Sequence, residues 1–288
     1  MRCLVVKVLS PGFYSTIQDL GRTGFQEFGV PYSGVMDVYS ATLANLILGN
    51  HANDAVIEMT MTGAKLQFSC STYICVSGAD MSPQLNGVPI HLNKSMKVSA
   101  EDVLSFGKLN KGFRCYLAVS GGFKTEEVMR SRSMYKDVTD LNKLSKNNEL
   151  KTNINDLYLN DNNSLVKVKN KHFSTKDIEV FKGPEFHLLS TKQQKLLLQN
   201  EFTISKENNR MGYQLSELLE NNLEPIITSP VLPGTVQLTP SGKLIILMRD
   251  CQTTGGYPRV FQLKESSINV LAQKFTGKTI HFKLNSQY

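Results

Sequence analysis

Short runs rich in β-branched and aromatic residues recur between clusters of Gly, Pro, Asn and Ser, at 3–9, 65–69, 72–77, 115–120, 178–181, 235–238, 244–248 and 279–284. That pattern predicts a mainly β protein built from barrels or sandwiches. Helical spacing is confined to a few places. The clearest is 37–48, where Asp37 is placed to cap the first turn, Leu43, Ala44, Ile47 and Leu48 form an apolar face, and Gly49-Asn50 ends the run. Weaker helical patterns cover 191–200 and 266–274.

The pattern breaks down between 136 and 176. Nine asparagines fall between Asn142 and Asn170, and the apolar residues there are scattered. Such a segment offers little burial to offset its ordering entropy. It predicts a long loop or linker dividing two halves, 1–135 and 177–288, with some strand near 165–168. No internal repeat is visible.

A chain of 288 residues, 41% apolar, suffices for one large core or two smaller ones. The formal charge of +7, from 32 basic and 25 acidic residues, is spread thinly, with lysines crowding where asparagines do. It reads as a solvated surface and not as a nucleic-acid footprint. Five cysteines, an odd number with no C-x-x-C pair, argue against a disulfide framework or a zinc knuckle. They read as reduced, mostly buried thiols. Lys7 interrupts the apolar start well before signal-peptide length, and no run approaches the ~20 residues that span a bilayer. A soluble, cytoplasmic protein is expected.

Four motifs with apparent chemistry dissolve on inspection. Gly277-Lys278-Thr279 ends like a phosphate-binding loop, but Ala272 stands where its first glycine belongs and a strand pattern follows. Ser95-Met96-Lys97-Val98 resembles the surroundings of a biotinylated lysine, yet it looks like strand leading into a turn at 100–102, so no covalent biotin is expected. The histidines show neither i,i+4 nor H-x-H spacing and suggest no metal site. No G-x-S-x-G elbow exists, and Ser120-Gly121-Gly122 reads as a strand-end turn.

Two segments carry more glycine, hydroxyl and charge than a core needs. In 12–50, Thr16, Gln18, Asp19 and Arg22 lie within seven residues, and Ser33, Gly34 and Asp37 lead into the predicted helix. The first helical amides could bind an anion, though Asp37 more simply caps them. In 233–260, an apolar strand ends in Arg249 and Asp250, followed by Gln252, Thr253, Thr254, Gly255 and Gly256. Loops of this kind place backbone amides around a phosphate or an oxyanion, or else make a plain Gly-Gly hairpin. The two segments together are expected to line one ligand pocket.

Seven motifs in order, ST-I-QD-L-GR, SG-V-MD, LAN-L-I-LGN, YLAVSGG, NRMGY, GTVQ and D-x-QTTGGYP, cover the chain from about Val6 to Phe282. In this the chain resembles the family of the 5-oxoprolinase C subunit, built on the biotin-dependent carboxyltransferase A and B domains and formerly called allophanate hydrolase subunit 2. The resemblance implies a mainly β, cyclophilin-like barrel architecture in two subdomains with a few short helices, A-like over 1–135 and B-like over 177–288. It implies a sibling chain that carries the carboxyltransferase C and D domains (the 5-oxoprolinase B subunit), with the A subunit of that enzyme as a further partner. Two departures are visible: Met134-Tyr135 follows Ser131-Arg132-Ser133 where relatives have a Gly-rich loop containing arginine, and Asn209 precedes Arg-Met-Gly where many have Asp.

The implied activity is ATP-dependent opening of the lactam of 5-oxoproline to glutamate, with ATP and Mg2+ as cofactors and activity only in the presence of the partners. Phosphorylating the lactam oxygen needs positive charge around the transferred group and a residue orienting the ring. Arg22, Arg132 and Arg259 are candidates for the charge. Asp19 or Asp250 would hold a metal or the lactam N–H. Asp19, Arg22 and Asp250 are thus the expected catalytic residues, and Thr16, Gln18, Ser33, Asp37, Arg132, Gln252, Thr253, Thr254, Gly255, Gly256 and Arg259 the expected binding residues. Two alternatives stand beside this reading: a carboxyltransferase-type protein acting on biotin or urea-derived substrates, and a non-enzymatic regulatory partner of the sibling chain.

Overall fold

Apolar runs that are continuous, not alternating, arise where a strand is covered on both faces. The first half of the chain shows this directly. The computed structural model describes residues 4–152 and 171–285. They fall into two compact units, one within 1–22 and 33–170 and the other comprising 23–32 and 171–288.

The first unit holds two sheets. The larger has the order Glu149–Thr152 (β11), Leu4–Ser10 (β1), Lys65–Phe68 (β4), Val103–Phe106 (β9), Pro83–Leu85 (β6) and Val88–Pro89 (β7). The other runs Tyr14–Gln18 (β2), Val56–Thr60 (β3), Lys111–Val119 (β10), Thr72–Asp80 (β5) and Met96–Val98 (β8). Val6, Leu66 and Leu104 of the first sheet share one buried cluster with Ile57, Met59, Ile74, Val76, Leu117 and Val119 of the second. The intervening residues Val56, Cys75, Tyr116 and Ala118 point the other way, onto Ala41, Ala44 and Leu48 at the helix Val38–Ile47 (α1). This helix starts on the Asp37 cap that its sequence predicts, with the carboxylate accepting from Ser40 N at 3.1 Å.

The second unit is a closed barrel. Its order is Asp177–Lys182 (β12), Arg259–Leu263 (β19), Thr235–Leu238 (β16), Lys243–Leu247 (β17), Gly212–Leu218 (β14), Glu201–Asn208 (β13) and Thr279–Leu284 (β20), which pairs in parallel with β12. Tyr213, Ile246, Val236 and Phe261 form one row across four strands, and all four are buried. The neighbouring row, Gln214, Ile245 and Gln237, projects to the opposite, outward face, and a register shift then sets Arg259 beside Gln237. Helices Lys171–Ser174 (α2), Thr191–Gln199 (α3) and Glu265–Ala272 (α4) accompany the barrel, and Ser229–Pro230 (β15) pairs with Thr254–Gly255 (β18).

The segment expected to be a linker behaves differently over its first part. Residues 136–152 belong to the first unit, where β11 pairs with β1 and buries Leu150, while Leu144 N donates to Ser15 O at 2.8 Å. Two leucines in the core, each worth roughly 1.5–3 kcal/mol of burial, and an open edge of β1 that needs a partner are enough to order an Asn-rich stretch. The strand expected near 165–168 lies outside the described residues. Residues 171–176 run into β12 and belong to the second unit.

Candidate functional site

The candidate residues of the first segment sit on β2 and the turn beyond it. Thr16 and Gln18 are buried, and Gln18 Nε2 donates to Thr16 Oγ1 at 3.1 Å and to Met134 O at 3.2 Å. Asp19 comes next, 5% exposed. Its Oδ1 accepts from Ser131 Oγ at 2.6 Å, Ser133 Oγ at 2.7 Å and Gly21 N at 2.9 Å, and its Oδ2 from Arg132 N at 2.6 Å. Arg22 is fully buried, donating from Nε to Val128 O at 3.2 Å and from the guanidinium to Ser133 O. Asp19 and Arg22 therefore clamp the 128–133 loop, a partnership that sequence spacing alone did not reveal. Arg132 leaves that loop outward, bonding Thr125 O and Glu127, and lines a cavity of about 330 Å3.

Ser33 and Asp37 are buried as well. Ser33 takes a left-handed φ of 56°, and its Oγ has no hydrogen-bond partner among the described residues. Gly34 follows with φ 86°, and a Cβ there would stand 2.8 Å from Gly21 N. Only glycine fits so close to another backbone, which accounts for the Ser-Gly pair. Asp37 spends both carboxylate oxygens on Ser40, so the first amides of α1 are capped.

In the second unit, Asp250 receives Arg210 through two hydrogen bonds, Nε–Oδ2 at 2.7 Å and a second nitrogen to Oδ1 at 3.0 Å. This ion pair joins two of the sequence motifs, NRMGY and D-x-QTTGGYP. Asn209 turns its Oδ1 to Met211 N and Gly212 N at 2.7 and 3.2 Å, an acceptor role that an Asp would fill equally. Arg259 grips Glu185 at 2.9 and 2.8 Å and reaches Pro230 O. The neighbouring thiol of Cys251 is pushed up to about 12 by burial, which removes it as a nucleophile.

Thr253 accepts from Val231 N through its backbone oxygen, and Thr254 and Gly255 form β18. Neither Gly255 nor Gly256 has a positive φ. Backbone shape is therefore not what glycine supplies here. An added Cβ on Gly256 would meet only Ile226 O at 3.6 Å, whereas one on Gly255 would stand 2.4 Å from Gln237 Nε2. Gln252 lines a cavity of about 450 Å3 over the outward row of the barrel, together with Gln214, Gln237, Ile245, Leu247 and Tyr257. Gln237 is 2% exposed, and its Nε2 has no hydrogen-bond partner among the described residues. An unpaired buried group of this kind costs about 1–3 kcal/mol. The sequence reading missed Gln237, although it stands in the GTVQ motif.

The expected site residues thus divide between the units: Thr16, Gln18, Asp19, Arg22, Ser33, Asp37 and Arg132 in the first, and Asp250, Gln252–Gly256 and Arg259 in the second. The family model for the carboxyltransferase domain, subdomain A and B, matches residues 28–284. The chain belongs to this family. Among its relatives, the 5-oxoprolinase C subunit of Escherichia coli is 31% identical over 294 residues, covering 96% of this chain and 90% of that one. Urea amidolyase of Lachancea kluyveri is 46% identical over 130 residues, which are 45% of this chain and 7% of that enzyme. The crystal structure of Kluyveromyces lactis urea carboxylase superimposes with a TM-score of 0.84 at 27% identity, over 96% of this chain and 27% of that one. The mainly β fold with a closed barrel is therefore that of the carboxyltransferase A and B subdomains.

The Arg259–Glu185 pair gives this part of the barrel a pH dependence. The guanidinium beside Glu185 holds its carboxyl below the ordinary 4.5. A carboxyl depressed on folding contributes its stability in full above the unfolded value and loses it as pH falls through the folded one. The urea midpoint of wild type should exceed that of Glu185→Gln above the ordinary carboxyl range, and the gap should narrow as pH falls below that range and the Glu185 carboxylate takes up its proton. A gap that stays constant as pH falls would contradict the assignment.

Proposed function

We propose that the chain is one component of an ATP-dependent 5-oxoprolinase that opens the lactam of 5-oxoproline to glutamate in complex with sibling chains. The observation that carries this reading is the likeness to the 5-oxoprolinase C subunit, which runs through 96% of the chain and is not confined to one motif. A five-membered lactam is a poor electrophile, and ring closure of glutamate is favoured by proximity. ATP with Mg2+ would supply the phosphoryl group that makes the lactam oxygen a leaving group.

Among the described residues, the side chains expected to meet the phosphoryl group are engaged by partners within the chain. Arg22 is spent on backbone carbonyls, Arg132 on Glu127 and Arg259 on Glu185, and Asp37 caps α1. Among the described residues, no group of three or more His, Cys, Asp or Glu could hold a metal ion. These facts support a division of labour in which the sibling with the C and D domains, the 5-oxoprolinase B subunit, completes the site together with the A subunit. Among the described residues no helix is long and apolar enough to cross a membrane. The free thiols of Cys70, Cys75, Cys115 and Cys251 support placing the complex in the reducing cytoplasm.

A carboxyltransferase-type activity on urea-derived substrates is the second reading, favoured by the 46% identity with urea amidolyase over 130 residues. Co-purifying the chain with the products of its genomic neighbours and assaying ATP hydrolysis with 5-oxoproline, urea, allophanate and biotin separates the two. Glutamate should form from 5-oxoproline with the complex and not with the chain alone. Turnover by the single chain, a preference for urea, or a stable complex without ATP turnover would count against the proposal.

A further inference from the structure

We propose that the outward face of the barrel carries a ligand site in which the carboxamide of Gln237 recognises a small ring bearing an amide N–H beside its C=O, a lactam or cyclic urea. The starting point is the buried Nε2 that finds no partner among the described residues, on a side chain lining a cavity of about 450 Å3. That volume falls within the range of about 300–1,000 Å3 typical of small-molecule sites. Barrel geometry explains how the amide comes to be there. Gln214, Ile245 and Gln237 stand in one row on β14, β17 and β16, so the apolar Ile245 lies between two carboxamides.

The shape of the carboxamide selects the ligand. It offers a donor and an acceptor side by side, and a half-turn about its last bond exchanges them. A ring forces its amide into the cis form, which presents N–H and C=O on one edge and pairs with a carboxamide through two hydrogen bonds. An open-chain peptide is trans and points the two groups in opposite directions. Ile245 supplies apolar surface for ring carbons, Gln252 and Tyr257 line the same cavity, and Lys206 lines it with a positive charge suited to a ring carboxylate. Gly255 leaves the space that the Gln237 amide occupies, since a Cβ there would come within 2.4 Å of Nε2. The choice of 5-oxoproline as the natural ring rests on the function proposed above; the site itself does not.

The test is a calorimetric titration of the chain and of the co-purified complex with 5-oxoproline, 2-imidazolidinone and cyclopentanecarboxylate, using wild type, Gln237→Leu and Gly255→Ala. Wild type should bind an amide ring and not cyclopentanecarboxylate, and both substitutions should weaken binding by about tenfold or more. Gln237→Leu should melt at or above the wild-type temperature, because no protein partner of Nε2 is lost. Undiminished binding in Gln237→Leu, absence of amide-ring binding in both chain and complex, or a clear fall in its melting temperature would overturn the proposal. Binding of 2-imidazolidinone through Gln237 without binding of 5-oxoproline would leave the site standing and remove the 5-oxoprolinase reading instead.

Discussion

Asp19→Ala is expected to lower the stability of the chain by about 3–5 kcal/mol, the largest loss foreseen for any residue of the first segment. Its carboxylate takes four hydrogen bonds, two from serine hydroxyls and two from backbone amides, all in a position 5% exposed. Alanine would strand these donors, and the amides of Gly21 and Arg132 cannot turn away to find water. Asp19→Asn keeps the volume but sets an NH2 against donors, so it should cost nearly as much. Because the chain has no Trp, unfolding in urea is best followed by far-ultraviolet circular dichroism. A loss under about 1 kcal/mol combined with an inactive complex would return Asp19 to the chemistry.

Much of the architecture was legible because apolar periodicity and capping act locally. The helix from Val38 to Ile47 starts on Asp37 as its sequence dictates, and Thr235–Leu238 and Thr279–Leu284 coincide with predicted strands. Lys97 likewise lies in a strand and Gly121 and Gly122 in a turn, as the dissolved motifs require. Strands β2, β3 and β14 were not visible, because Thr16, Gln18, Glu58 and Gln214 interrupt their apolar pattern. Those polar residues are tolerated inside or along sheets only through distant partners: Glu58, for instance, accepts from Met36 N at 2.7 Å and Tyr116 Oη at 2.9 Å.

The candidate site was harder to read for the same reason. A charged residue in a glycine-rich segment looks identical in sequence whether it awaits a ligand or clamps a loop. The partners that distinguish the cases, such as Ser131 and Ser133 for Asp19 or Glu185 for Arg259, lie 74 to 114 positions away. Gln237 escaped by the opposite route, since nothing about an isolated glutamine signals a missing partner until the strands around it are in place.

The Arg210–Asp250 pair should behave as a coupled unit whose halves are each far more costly to lose than the whole. Arg210 is 6% and Asp250 7% exposed, so removing either leaves a buried charge without its counter-charge, at about 3–5 kcal/mol. The pair also ties the end of the β13–β14 hairpin to the loop after β17, where Asp250 N donates to Arg210 O and Met248 N to Met211 O, both at 2.9 Å. Replacing both partners with apolar residues of similar volume, Arg210→Met with Asp250→Leu, keeps those backbone bonds and removes both desolvated charges. The double variant should therefore be more stable than either Arg210→Met or Asp250→Leu alone, with a coupling energy of about 2 kcal/mol or more. Urea unfolding of the four chains measures it. Simple additivity of the two single losses would show that each residue answers to some other partner. Because Met211, Gly212 and Gln252 line the cavity over Gln237, the single variants should also weaken amide-ring binding, and the double variant should recover it along with the fold.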